Sequence, residues 1–217
     1  MNNYLYSYSK NVYSQNGEDG INEKLFERIN INEGIVLEIG AWDGYALSNC
    51  ANLWSKNEKY QAILIESTNR LNGEQLENEF KNVDCYNEMV SLENSLEKII
   101  DRSKFEVTNE NFVLASIDVD GDDLNIATSL GKYKPIIMIL EPNGNIVEKI
   151  NPEGVTVKEW IDYGLEVGYT FIGMSGFLNI GAGNVYFIRD DYKSEFTITE
   201  LPWEKRGVLT TGGKSYE

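Results

Sequence analysis

The sequence predicts an α/β fold, a mostly parallel sheet doubly wound with helices, on two observations. Apolar runs short enough for strands alternate along the chain with segments whose apolar residues recur at helical spacing. Most of these runs end in an acidic or polar residue, which puts one ligand-binding edge at the C-terminal ends of the parallel strands. The 217 residues suffice for one core. A single domain is therefore expected over 1–217, divided into an N-terminal lead and helix (1–33), an α/β core (34–189) and a C-terminal tail (190–217).

In chain order, a Tyr-rich polar lead (Tyr4, Tyr6, Tyr8, Tyr13) runs into Ser14-Gln-Asn-Gly-Glu-Asp-Gly20, where Ser14, Asn16 and Asp19 are candidate helix caps. Ile21, Leu25, Phe26 and Ile29 then predict a helix from Asp19 or Gly20 to Asn30. Ile35-Val36-Leu37 is a β-branched run suited to a strand buried on both faces; Glu38 ends it. Gly40 and Gly44 flank a tight turn, and a helix is expected over Leu47 to Asn57 with Cys50, Leu53 and Trp54 on one face. Bare backbone and the unpaired N–H groups of that helix start would allow close approach of a ligand.

Tyr60 to Ile65 is the second strand, and Glu66 at its tip stands about 20 residues past the glycine turn, where a carboxylate can accept both hydroxyls of a ribose. A helix over Asn69 to Lys81, a strand over Val83 to Val90 and a helix over Ser91 to Arg102 follow. Phe112 to Ile117 is a further strand. It runs into an acidic turn, with Asp118, Asp120, Asp122 and Asp123 within six residues. Such crowding is costly unless a cation, a donor-rich ligand or water relieves it. Calcium-loop spacing is absent: the glycine comes too early, no Glu stands at the twelfth position, and a strand precedes. Next come a helix over Leu124 to Gly131, a strand over Lys134 to Asn143 with Glu141 and Asn143 at the same edge, a loop from Asn145 to Val155 and a helix over Thr156 to Val167. Tyr169 to Gly173 and Asn184 to Arg189 are the last strands.

Composition excludes several classes. A net charge of −16 with no Lys/Arg cluster disfavours nucleic acid and anionic membrane as partners. No apolar stretch approaches the roughly 20 residues of a membrane span, and the N-terminus lacks a signal peptide's apolar core, so a cytoplasmic protein is expected. Cys50 and Cys85 have neither metal nor disulfide spacing and read as buried thiols. Without any histidine, acid–base chemistry falls to Asp, Glu, Lys or Tyr.

The loop Glu38-Ile-Gly-Ala-Trp-Asp-Gly44 lacks the G-x-G-x-x-G spacing of dinucleotide sites, and Glu38 and Asp43 would repel a pyrophosphate. A ligand with cationic and hydroxyl groups, such as S-adenosylmethionine, fits better. The loop resembles the first motif of Rossmann-like S-adenosylmethionine-dependent methyltransferases. Tyr13-Ser-Gln-Asn-Gly-Glu-Asp-Gly-Ile21 resembles the leader that precedes this motif in an FkbM-like group, and Ser116-Ile-Asp-Val-Asp-Gly-Asp-Asp123 resembles that group's fourth motif. Over Tyr13 to Arg189 the resemblance implies a Rossmann-like methyltransferase fold closed by a C-terminal antiparallel hairpin. It further implies a cofactor site of Gln15 from the leader, Glu38, Gly40, Ala41, Asp43 and Gly44 from the first motif, the ribose acceptor Glu66, and Asp118. Asn87, Glu88 and Met89 would flank the adenine, although relatives commonly carry small residues where Glu88 and Met89 stand.

The implied activity is methyl transfer to a hydroxyl of a sugar or other small metabolite, with a small molecule or glycan as partner. Asp118 or Asp120 is the expected proton acceptor. A divalent ion on Asp118, Glu141 and Asn143 is the alternative; the metal-free version is the expectation. Competing readings are a non-catalytic S-adenosylmethionine-binding or interaction module, an NAD(P)-dependent oxidoreductase, and a calcium-binding structural protein.

Overall fold

The computed structural model describes residues 4–119, 121–144, 148–149, 152, 154–176 and 183–196. Asp120, most of the 145–153 loop and the tail from 197 onward lie outside the described residues. Seven strands form one sheet: β1 (Gly34–Ile39), β2 (Tyr60–Ile65), β3 (Val83–Tyr86), β4 (Phe112–Ile117), β5 (Ile137–Leu140), β6 (Tyr169–Met174) and β7 (Val185–Arg189). Their order is β3-β2-β1-β4-β5-β7-β6. The first five strands are parallel, and β7 runs antiparallel between β5 and β6, giving the expected C-terminal antiparallel pair.

Helices cover both faces, as parallel strands require. On one face, α1 (Glu18–Arg28), α2 (Ala51–Trp54) and α3 (Gly73–Glu79) pack with Val36, Leu64 and Ile139. On the other, α4 (Leu96–Asp101), α5 (Asp123–Thr128) and α6 (Val157–Val167) pack with Ile35, Leu37, Ile63 and Met138. Trp54 and Trp160 anchor the two sides, fully buried; truncating either to alanine would cost about 3–5 kcal/mol. Among the described residues, no helix is long and apolar enough to cross a membrane.

Several elements are shorter than their periodicity suggested. The helix after the first motif begins at Ala51, because Trp42, Gly44 and Leu47 hold positive φ (52°, 92° and 62°) that a helix cannot accommodate. Its start is sealed from within: Ser48 Oγ accepts from Cys50 N and Ala51 N. α1 is preceded by Gly17 at φ 96° with no side-chain cap. Asp19, expected as a cap, instead turns back to accept the amides of Val12, Tyr13 and Ser14 on one oxygen. β3 stops at Tyr86, α4 starts only after its cap Ser95, and β5 is confined to Ile137–Leu140 between Pro135 and Pro142. Cys50 is buried, whereas Cys85 is half-buried. Thr156 and Glu159 close a capping box at α6.

Candidate active site

The period-two alternation of a strand decides which side chains meet. Val36 and Leu64 face α1 to α3, so Glu38 and Glu66, each two residues on, point to that same side at the strand tips. Leu114 lies on that face as well, and Ser116 and Asp118 continue its parity on β4. Adjacent strands thus bring acids together at one edge. Between them opens a cleft of about 1050 Å³.

Glu66 is 6% exposed and held at both oxygens, one accepting Trp42 N at 2.9 Å and the other Thr68 N at 2.8 Å. A carboxylate offers about four lone-pair positions, so each oxygen keeps capacity for another donor. Glu38 lies deeper: it accepts the Ser48 hydroxyl and, at 2.6 Å, the amide of Asn49, which ties the turn to the strand tip. Burial drives its pKa up to about 7, against the lowering by these two bonds, and the negative charges of Asp118 and Asp19 add to the rise. Asn49 reaches on to Ser116 Oγ at 2.9 Å, joining the β1 turn to β4.

The acidic turn divides its carboxylates. Asp123 turns inward and accepts from Val119 N and Gly121 N, both at 3.0 Å, and from Asn143 Nδ2 at 3.3 Å. Burial raises its pKa to about 6. Asp122 takes the N-cap position of α5. Asp118 remains on the cleft wall with Glu141.

Of the residues expected to hold a cofactor, Gln15, Glu38, Gly40, Glu66, Glu88, Met89 and Asp118 line the cleft. The others do not line it. Ala41 is buried, its amide donating to Ile65 O. Asp43 caps its own turn through Tyr45 N and Ala46 N. Gly44 packs where a Cβ would come within 2.8 Å of Leu76, and Asn87 braces the carbonyls of Thr68 and Leu71. Glu88 is paired with Arg102 at 2.6 Å. Trp42, Leu47, Asn49 and Arg70 also line the cleft, and sequence reading did not single them out. The Arg70 guanidinium lies 3.5 Å from the centroid of the Trp42 ring. Trp42 sits inside the recognised loop and was open to notice; Arg70 has no motif to mark it.

Among the described residues, the lining carries seven acidic side chains and one basic one, Arg70. That balance suits a ligand with a sulfonium and an ammonium, and it opposes a pyrophosphate. Among the described residues, no group of three His, Cys, Asp or Glu is placed to hold a metal ion. In the suggested set of Asp118, Glu141 and Asn143, the amide of Asn143 is engaged by Asp123.

No family model and no curated protein matches the chain. Solved structures do. The DszA carbon methyltransferase aligns with a TM-score of 0.55 at 13% identity, over 86% of this chain and 57% of that one. The CurJ carbon methyltransferase gives 0.53 at 11%, over 86% and 57%, and the citrinin polyketide synthase CMeT domain 0.52 at 14%, over 79% and 51%. This chain thus spans little more than half the length of these proteins. The likeness is one of fold, and the fold is the Rossmann-like α/β fold of methyltransferases.

Proposed function

We propose that this chain is an FkbM-like S-adenosylmethionine-dependent methyltransferase that acts on a hydroxyl of a sugar or other small hydroxylated metabolite. The observation that carries the reading is Glu66, fixed by two backbone amides at the tip of β2 with acceptor capacity left toward the cleft. The acid-rich lining, the fold and the order of four sequence features, the leader, the first motif, the Ile63-Leu-Ile-Glu66 strand tip and the fourth motif, support it.

Glu66 binds the ribose hydroxyls, and the carboxylates around it favour the ligand's positive charge. Bound there, S-adenosylmethionine supplies an electrophilic methyl group. Asp118, on the wall at the tip of β4, would orient the acceptor hydroxyl and take its proton while the O–C bond forms and the methyl–sulfur bond breaks, with S-adenosylhomocysteine as the leaving group. Gln15, from the leader, lines the cleft. The net charge of −16 opposes a nucleic-acid acceptor.

Calorimetric titration with S-adenosylhomocysteine, NAD and calcium, run in parallel, tests the reading. Binding of S-adenosylhomocysteine alone is expected. Binding of NAD instead would favour an oxidoreductase, and calcium binding without S-adenosylhomocysteine a structural cation site.

A further inference from the structure

Leu47 is a large apolar residue held where neither packing nor backbone preference explains it. It is 57% exposed, belongs to neither core cluster, and sits at φ 62°, in the left-handed region that bulky side chains avoid. The backbone there is fixed from its C-terminal side: Ser48 and Asn49 are bound to Glu38, and Asn49 to Ser116. Glycine would satisfy the same φ with less strain. What the leucine does have is a place on the cleft wall.

The strand order says which part of the cleft that is. β4, whose tip bears Asp118, lies beside β1, and β3 is two strands away on the other side. Met89 and Leu92, exposed apolar residues on the loop after β3, belong to the far end, and Trp42 is tied to Glu66 and Arg70. Leu47, on the β1 turn, and Asp118, at the tip of the neighbouring β4, line the same cleft. The carboxylates around it would repel a phosphate, and among the described residues the one lining guanidinium, Arg70, lies on the Trp42 ring.

Resting on the methyltransferase reading, we propose that the acceptor is an uncharged amphiphile whose hydroxylated head meets Asp118 and whose apolar body lies on Leu47. Leu47 is then a specificity-determining residue. Phosphorylated and nucleotide-linked sugars are excluded from the acceptor class.

The test uses the full chain saturated with S-adenosylhomocysteine, titrated with n-hexyl β-D-glucopyranoside, D-glucose and glucose 6-phosphate. The hexyl glucoside is expected to bind at least about tenfold more tightly than glucose, and the phosphate no better than glucose. In Leu47→Gly, which the backbone tolerates, the hexyl preference should fall by about tenfold while S-adenosylhomocysteine affinity and melting temperature are not reduced. Equal binding of glucose and its hexyl glycoside, tightest binding of the phosphate, or an unchanged preference in Leu47→Gly would overturn the inference and leave the methyltransferase reading standing. Failure of S-adenosylhomocysteine to bind would remove both.

Discussion

Gly40 lies against the backbone of Asp118 so closely that a Cβ on Gly40 would come within 1.9 Å of the Asp118 carbonyl oxygen. Asp118 N also donates to Ile39 O at 3.3 Å, so the tips of β1 and β4 are joined where the cleft begins. The glycine is required by protein against protein, at φ 79°, as well as by any ligand.

Gly40→Ala should therefore damage fold and site together. The strained φ and the backbone collision are expected to lower the melting temperature by more than about 4 °C and to weaken S-adenosylhomocysteine binding. Thermal melts and calorimetry check this; a variant as stable as the parent would show that the strand tips can separate freely.

Glu66→Ala should weaken S-adenosylhomocysteine by about 1.5–3 kcal/mol, the range for hydrogen bonds to a charged group. Glu66→Gln keeps one acceptor oxygen and should lose less. Parent-like affinity in Glu66→Ala would remove the ribose assignment.

Glu38 makes stability depend on pH. Its carboxyl titrates near 4.5 when unfolded and at about 7 in the fold, so the folded state binds the proton more tightly between those values. Stability is accordingly highest below pH 4.5 as far as this group is concerned, falls as pH rises to about 7, and is level above. The loss is on the order of 3 kcal/mol. Asp123, shifted from 3.8 to about 6, adds a loss of the same sign at slightly lower pH. Urea denaturation at pH 5 and pH 7.5 should show a drop that Glu38→Gln largely flattens. A slope unchanged in that variant would mean another group carries it.

Asp118→Asn should reduce turnover much more than S-adenosylhomocysteine affinity, since the amide cannot accept the hydroxyl proton. Chelator is expected to leave activity within a few-fold. Loss of activity in chelator, restored by magnesium, would establish the metal-assisted route through Asp118 and Glu141.

The strands were legible because burial on both faces writes continuous apolar runs, as in Ile35 to Leu37 and Tyr60 to Ile65. Glu66 was legible because it ends such a run. Helix starts were not. Leu47 carries the residue type of a helix interior, yet its conformation is dictated by the anchoring of Ser48 and Asn49 to Glu38, a contact across 10 and 11 positions of sequence. Asp19 looked like a cap and instead serves the loop behind it. The pairing of Arg70 with Trp42 depends on how two loops meet in space, and no local pattern records it.

The leader that brings Gln15 to the cleft is tied to the residues that flank β6 and β7. Glu18, fully buried, accepts from Ser175 Oγ and from Asn184 Nδ2, 157 and 166 positions away. On the ribosome, the leader emerges well before these partners, and its buried carboxylate waits for them until β1 to β6 have been made. The wall carrying Gln15 is thus finished only once the stretch around Asn184 has been synthesised. A nascent chain halted before that point would hold most of the parallel sheet yet lack a completed binding edge, which delays ligand capture until β7 can insert between β5 and β6.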